Sequence, residues 1–165
     1  MRYYRSLEEF KRSLKPVKPF PTFVSPKIHE EVLEEYEKRY GRRPEPAELR
    51  RATARKILNV CSSLAREIER EYRAVETHLR RYASGEARAR ERLEAAARRL
   101  RRKIRRFIRS GCAPGVNVRR VLSPLDRFIE GDYAAIVDVD IYTVKPLMSA
   151  WGYLRAALKE EVGGE

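Results

Sequence analysis

The sequence predicts a mostly α-helical fold, in which a long antiparallel helical hairpin lies within an extended helix bundle and follows a proline-rich arm. Apolar residues recur at spacings of three and four over most of the chain, which is typical of amphipathic helices. No proline or glycine occurs between Pro46 and Gly85, whereas four prolines fall within residues 16–26. A length of 165 residues suits one domain with a core, so we expect a single helical domain over residues 26–165.

Residues 1–25 are predicted to form a basic, extended arm. Its prolines prevent a helix because proline has no backbone N–H to donate and its ring clashes with the preceding turn. Arg2 and Arg5, near the start of the arm, are candidate nucleic-acid contacts. The arm lies either along nucleic acid or a neighbouring subunit, or against its own core, and the sequence leaves these alternatives open.

Five helices are predicted after the arm from their end signals. Ser25 as N-cap and Pro26 at the first helical position begin the first helix, and Gly41 ends it. Ser84-Gly85 separates the second helix from the third, and Ser123-Pro124 resembles the N-cap of a fourth. The predicted ranges are about 26–40, 46–83, 86–109, 124–130 and 146–160.

The second and third helices should run antiparallel because the turn between them is short. At 1.5 Å per residue the second helix spans roughly 57 Å, whereas a compact sphere of this chain length is roughly 40 Å across. Unless that helix kinks near Cys61, another chain must cover part of its apolar stripe. The sequence therefore predicts self-assembly or a paralogous subunit, in a dimer-based higher oligomer.

Two short segments have strand-like patterns and predict a small β element. Val116, Val118 and Val121 mark the first, over residues 116–121. Residues 135–144 alternate between apolar and polar, which would place Val137, Val139 and Ile141 on one face of a strand. A helix beginning at Asp132 is the alternative for this second segment.

The positive charge is concentrated in two segments. Of the net charge of +13, residues 86–109 carry +8 and residues 1–20 carry +4, a distribution typical of a protein that binds a polyanion. The chain has 28 arginines and 9 lysines. Arginine binds phosphate through two donors at once, although a GC-rich genome would produce the same bias.

The third helix carries the candidate nucleic-acid interface. Arg98, Arg102, Arg105 and Arg109 lie at i, i+4, i+7 and i+11, so they form one stripe. Like charges at this spacing destabilise a helix unless an anion neutralises them, and a nucleic-acid backbone does so. The candidate nucleic-acid-binding residues are Arg2, Arg5, Arg88, Arg92, Arg98, Arg99, Arg101, Arg102, Lys103, Arg105, Arg106 and Arg109.

The alternative is that the acidic first helix neutralises this stripe within the fold. That helix contributes five carboxylates, namely Glu30, Glu31, Glu34, Glu35 and Glu37. Five acids cannot pair with the eleven cations of residues 86–109, so the nucleic-acid interpretation is favoured.

The sequence predicts no enzyme, metal site or cofactor. Asp138 and Asp140 would lie on the same side of a strand and could hold a divalent metal in a nuclease, but no third carboxylate accompanies them. His29 and His78 are single and separated, and no phosphate-binding loop or nucleophile motif occurs. Since no base-reading module occurs either, we expect recognition of backbone and shape.

Two cysteines are too few for a zinc site. A Cys61–Cys112 disulfide is possible if the host is a hyperthermophile. No apolar run approaches the roughly 20 residues of a membrane span. The first residues, with Glu8 and Glu9, do not resemble a signal peptide. We therefore expect a protein that stays inside a cell.

The sequence Met1-Arg-Tyr-Tyr-Arg5, the Pro16–Pro26 arm and the Arg98–Arg109 stripe resemble those of coat (major capsid) proteins of filamentous and rod-shaped viruses of hyperthermophilic archaea. The resemblance covers about residues 1–110 and implies helical subunits, often dimers, that wrap double-stranded DNA in the A-form. It implies a location in the virion and the host cytoplasm. It further implies that the stripe contacts phosphates, that the arm contacts a neighbouring subunit, and that the helix of Trp151 packs between subunits. The strand-like segment 135–144 departs from such an all-helical subunit.

A second interpretation is an archaeal replication or ribosome accessory subunit. A helical domain with a small β appendage resembles scaffold proteins of the GINS type. The arginine-rich helix would then contact partner proteins or RNA.

Overall fold

The structure, a computed structural model, describes the backbone of residues 26–163 and the side chains of residues 30–163. The mostly α-helical class is confirmed, and residues 26–163 contain no strand. The predicted arm, with Arg2 and Arg5, lies outside the described residues. Five helices follow one another along the chain: α1 (Pro26–Tyr40), α2 (Pro46–Ala83), α3 (Ala89–Arg109), α4 (Val118–Ile129) and α5 (Lys145–Val162).

Helices α2 and α3 pack along each other and form the centre of the fold. Glu71 of α2 lies beside Arg99 of α3, and Glu67 lies beside Lys103, so residue numbers fall on one helix as they rise on the other. The two helices are therefore antiparallel. The apolar positions that the sequence spaces at threes and fours on α3 are all buried, namely Leu93, Ala97, Leu100, Ile104 and Phe107.

The connection between α2 and α3 is longer than the sequence predicts. Gly85 takes a positive φ of 80°, which glycine adopts without a Cβ clash, and its N–H donates to the Tyr82 carbonyl. Glu86 and Ala87 then remain in the turn, and Arg88 takes a φ of 60°. The predicted start of the third helix at Glu86 is thus wrong by three residues, because the left-handed Arg88 separates the turn from α3.

Helix α4 replaces the predicted strand at residues 116–121. The side chain of Asn117 accepts a hydrogen bond from the Arg120 N–H and so caps the helix, which then runs from Val118 to Ile129. Pro124 lies inside this helix rather than at its start. The predicted start at 124 is therefore wrong, because the effective N-cap is Asn117 and not Ser123.

Residues 133–144 are helical, so the strand predicted for 135–144 is wrong and the alternative of a helix is correct. A 3-10 turn (Tyr133–Ala135) and a single α turn (Ile136–Asp138) lead into a π-helical segment (Val139–Val144) that continues into α5. The π segment directly precedes the turn that contains Pro146. A proline ring clashes with the carbonyl four residues earlier in an α-helix, and a widened turn relieves that clash.

The core lies between α2 and α3 on one side and α4, the π segment and α5 on the other. Helix α5 buries Leu147, Trp151, Leu154 and Leu158. The Trp151 ring meets the Phe107 ring edge-on, with centroids 6.3 Å apart. Trp151 thus packs within its own chain, since only 7% of its surface is exposed, and a contact between its helix and another subunit stays a prediction.

Helix α2 is covered along most of its length by its own chain. Its buried residues extend from Leu49 to Val75, and Tyr82 near its end meets the Tyr133 ring at 5.1 Å. The length of α2 therefore does not by itself require a partner over this stretch, and self-assembly remains a prediction. Among the described helices, none is both long enough and apolar enough to cross a membrane.

Cys61 and Cys112 form a disulfide, with their Cα atoms 5.5 Å apart. The bridge joins the middle of α2 to the residues that follow α3. It ties the two helices at one end while the short connection ties them at the other.

We predict that breaking the Cys61–Cys112 bridge lowers the free energy of unfolding by about 4 kcal/mol, because the 51-residue separation gives the unfolded chain a long loop to open. Chemical denaturation of the oxidised protein, the reduced protein and the C61A/C112A variant measures this. The midpoint should fall on reduction of the wild type and stay constant on reduction of the variant. Equal midpoints for oxidised and reduced wild type would contradict the prediction.

Candidate nucleic-acid interface

Helix α3 has an apolar side and a charged side. Its buried residues, among them Leu93, Leu100 and Phe107, face α2, α4 and α5. On the charged side, the second half of the helix carries most of the predicted cations. These cations differ in whether a neighbouring helix lies beside them.

The predicted stripe is exposed and, within residues 30–163, unpaired. Arg98, Arg102, Arg105 and Arg109 are all exposed, and none forms an ion pair with a carboxylate of residues 30–163. Arg106, next to the stripe, is also exposed without such a partner. The structure therefore presents a row of guanidinium groups to solvent along about 17 Å of helix.

The flanks of the stripe are neutralised inside the fold, which corrects part of the predicted site. Arg99 Nε lies 3.2 Å from a Glu71 oxygen of α2, and Lys103 Nζ lies 3.4 Å from a Glu67 oxygen. On the other flank, Arg101 Nε lies 2.6 Å from an Asp126 oxygen of α4. These three predicted binding residues are partly buried and have carboxylate partners because they face the neighbouring helices.

The first turns of α3 carry further cations. Arg88 and Arg92 are exposed and have no carboxylate partner among the described residues. Arg90 lies one turn before Glu94 and pairs with it at 3.3 Å. The unpaired surface thus extends from the second half of α3 towards its N-terminus.

The acidic helix α1 does not neutralise the stripe. Its Glu31 and Glu35 lie 3.7 Å and 2.9 Å from the Lys56 ammonium of α2, and the hydrogen bond from Lys56 to Glu35 raises the pKa of that lysine. Within residues 30–163, no arginine of the stripe forms an ion pair with α1. Internal neutralisation accordingly accounts for the flanks of α3 and not for the stripe.

Asp138 and Asp140 do not share a side of a strand, because both lie in helical turns. Asp138 pairs with Arg127 at 2.8 Å and Asp140 with Lys145 at 3.6 Å. Within the described part of the chain, no group of three or more His, Cys, Asp or Glu side chains could hold a metal ion. The geometry on which the nuclease interpretation depended is therefore lacking.

His78 of α2 lies near the arginines of this region, and its Nδ1 is buried without a hydrogen-bond partner. Desolvation lowers the pKa of the imidazole, and the positive charges of Arg81, Arg99 and Arg92 lower it further. The side chain of His29 is outside the described residues.

The sequence interpretation missed the carboxylates that divide the charged side of α3, namely Glu67, Glu71 and Asp126. A signal for two of them was present. Glu67 and Glu71 are four residues apart on α2, and Arg99 and Lys103 are four residues apart on α3. In an antiparallel pair, matched spacings of this kind place opposite charges side by side.

Comparison of this chain with protein families, with curated proteins and with solved structures finds no match.

We predict that the protein loses stability as the pH falls below about 6.5, because the unfolded chain protonates His78 there while the folded chain resists protonation. The H78Q variant should lose less stability over the same interval. Urea unfolding of both proteins at about pH 7.5 and about pH 5.5 measures the difference. An equal loss in both proteins would show that the lowered pKa of His78 does not contribute.

Proposed function

We propose that this chain binds nucleic acid without sequence specificity, through the phosphate backbone, and that it packages that nucleic acid as a structural protein. In this proposal the antiparallel hairpin of α2 and α3 presents the stripe Arg98, Arg102, Arg105 and Arg109 to the polymer. It uses no catalytic residue, metal or cofactor.

The observation that carries the proposal is the unpaired state of this stripe among the described residues. Each like-charge pair at i and i+4 destabilises the helix by a few tenths of a kcal/mol. A phosphate backbone relieves that repulsion and releases condensed counterions when it binds. About 17 Å of helix corresponds to about five phosphates along one strand of a duplex, close to the number of guanidinium groups available.

We further propose that the chain is a coat protein that wraps double-stranded DNA in a helical filament of an archaeal virus. The resemblance to coat proteins of filamentous and rod-shaped viruses supports this, and the strand at 135–144 that departed from it does not form. The accessory-scaffold interpretation depended on a small β appendage, which residues 26–163 do not contain. In the viral setting the protein would be located in the virion and the host cytoplasm.

Exposed apolar side chains on the helical segment before α5 support self-assembly. Val137 and Ile141 lie one turn apart and remain 61% and 42% exposed, and the neighbouring Tyr142 is 58% exposed. Adjacent exposed apolar groups of this kind mark contact surfaces. We place a contact between subunits here.

We predict that replacing Arg98, Arg102, Arg105 and Arg109 with alanine weakens binding to DNA of any sequence, because it removes the unpaired cations. The dependence of log affinity on log salt should flatten by about one unit for each lost phosphate contact. Fluorescence anisotropy with a labelled duplex at several KCl concentrations measures both effects.

The matched control for this variant removes four exposed cations from α4 and α5, namely Arg119, Arg120, Arg155 and Lys159. Each variant loses four positive charges. The control residues, like those of the stripe, have no ion pair with a described carboxylate. If both variants bind with the same affinity and salt slope, the α3 stripe is not the binding site.

We predict that the protein forms regular filaments when it is mixed with linear double-stranded DNA, visible by negative-stain electron microscopy. The V137S/I141S variant should bind a short duplex normally and form fewer filaments, since it removes apolar contact area between subunits. If the wild-type protein forms discrete particles with DNA instead of filaments, the coat-protein proposal is contradicted, whereas the proposal of DNA binding is not.

A further inference from the structure

Helix α2 carries a second row of arginines, which we call the α2 row. Arg66, Arg70 and Arg73 lie at i, i+4 and i+7, and Arg80 follows two turns later. All four therefore lie on one side of the helix. All four are exposed, and none forms an ion pair with a carboxylate of residues 30–163.

The net charge of this segment of the sequence does not reveal the α2 row. Residues 21–85 carry a net charge of only +3, because carboxylates alternate with the arginines of α2 in the sequence. The structure turns two of these carboxylates away from the row, while Glu69 and Glu76 lie along its outer flank and form no ion pair with it among residues 30–163. Glu67 and Glu71 turn towards α3 and pair with its cations, whereas the α2 row turns away from the core residues Ile68 and Val75.

The α2 row and the α3 stripe lie on the same outer face of the α2–α3 pair. Glu67 and Glu71 of α2 meet Lys103 and Arg99 of α3 along a line that we call the ion-pair seam. Arg66 and Arg70 stand one residue before the seam residues of α2, and Arg98 and Arg102 stand one residue before those of α3. Successive residues are rotated by 100° about the helix axis. Because the two helices are antiparallel, moving back one residue from the seam turns towards the same side of the pair on both helices.

Helices α4 and α5 lie behind this face, whereas α1 packs on α2 near Lys56, ten residues before Arg66. Helix α5 packs against α2, and α4 packs against α3. Both contacts involve the buried sides of α2 and α3, opposite the two rows. Two rows of guanidinium groups, unpaired within residues 30–163, thus run side by side for about two turns, where Arg66 and Arg70 lie beside Arg98 and Arg102, with a neutralised seam between them.

The separation of the rows suits the two edges of a nucleic-acid groove. Packed helices have axes roughly 8–10 Å apart, so two rows that point outwards on the same side of both helices lie roughly that far apart at their bases. The major groove of B-form DNA is roughly 12 Å wide, and in an A-form duplex, which the viral resemblance implies, the wide and shallow groove is the minor groove. Side chains that point outwards from both helices can reach the phosphates on its two sides.

We propose that Arg66, Arg70, Arg73 and Arg80 form a second phosphate-binding row. The α2 row and the α3 stripe grip the phosphates on opposite sides of one groove of the same duplex, with the ion-pair seam over the groove. This inference rests on the proposed nucleic-acid function and adds to it a second set of binding residues and a preference for two-stranded polymer.

The test compares three variants of the full chain. The first changes the α2 row to glutamine (R66Q/R70Q/R73Q/R80Q), the second changes the α3 stripe (R98Q/R102Q/R105Q/R109Q), and the third is the control on α4 and α5 (R119Q/R120Q/R155Q/K159Q). Each loses four positive charges. Affinity is measured for a DNA duplex and for one of its single strands at several KCl concentrations, after circular dichroism has checked the helical content of each variant.

We expect the α2-row variant to bind the duplex roughly tenfold or more weakly than the control variant, with a flatter salt dependence. Its loss on single-stranded DNA should be smaller, because opposite sides of a groove belong to different strands. Lysines at the same four positions should restore the salt dependence, since a phosphate contact needs the charge.

Two results separate this inference from the proposed function. If the α2-row variant matches the control on duplex while the α3-stripe variant is weakened, the second row is refuted and the proposed function stands. If the α3-stripe variant also matches the control, the proposed function itself fails. An α2-row variant that loses duplex and single strand equally would refute the groove geometry.

Discussion

The division of charge around α3 depends on what packs beside it. Two helices approach its flanks and bring Glu71, Glu67 and Asp126 against the cations there. Among residues 30–163 no carboxylate pairs with the side opposite the core, so the stripe between the flanks keeps its repulsion. The helix tolerates this because burial of a leucine, isoleucine or phenylalanine stabilises by roughly 1.5–3 kcal/mol, whereas each like-charge pair costs a few tenths. The core thus holds in place a charged side that an isolated peptide would not keep helical.

The position of the stripe also requires a fixed register between α2 and α3. A slip of one residue would rotate side chains by 100° and would remove Glu67 and Glu71 from their partners. The structure secures the register at both ends of the pair, through the short connection at residues 84–88 and through the Cys61–Cys112 bridge. Since paired and unpaired cations alternate around one helix, the same constraint that neutralises the flanks keeps the stripe exposed.

The helices and the stripe could be predicted from the sequence because both depend on local spacing. The run from Pro46 to Ala83 without a breaker, and the buried positions Leu93, Leu100 and Ile104, follow from periodicity alone. What failed depended on contacts between distant residues or on competing local signals. Alternation over 135–144 resembled a strand, yet Val139 is buried while Val137 and Ile141 are exposed, as in a helical turn. Ser123-Pro124 matches the usual pattern of an N-cap followed by proline, so the cap at Asn117 was not predicted.

The neutralised flanks of the site were missed for a related reason. Charge summed along a segment says nothing about which side of a helix each charge occupies, and the fold acts on sides. Arg99 and Arg98 are neighbours in the sequence, yet one is paired with α2 and the other faces solvent. Only the packing of α2 and α4 distinguishes them.

A rigid helix that carries unpaired arginines differs physically from a basic tail of the same charge. In the proposed nucleic-acid complex such a helix orders side chains, at roughly 0.5–1.5 kcal/mol each, but its backbone is already fixed. A tail that folds on binding also orders its backbone, at roughly 1–2 kcal/mol per residue. The helix therefore keeps more of the electrostatic attraction as affinity. It also fixes the spacing of the guanidinium groups, so that the polymer whose phosphates match that spacing binds best. Discrimination of this kind reads the shape of the backbone and is indifferent to the bases.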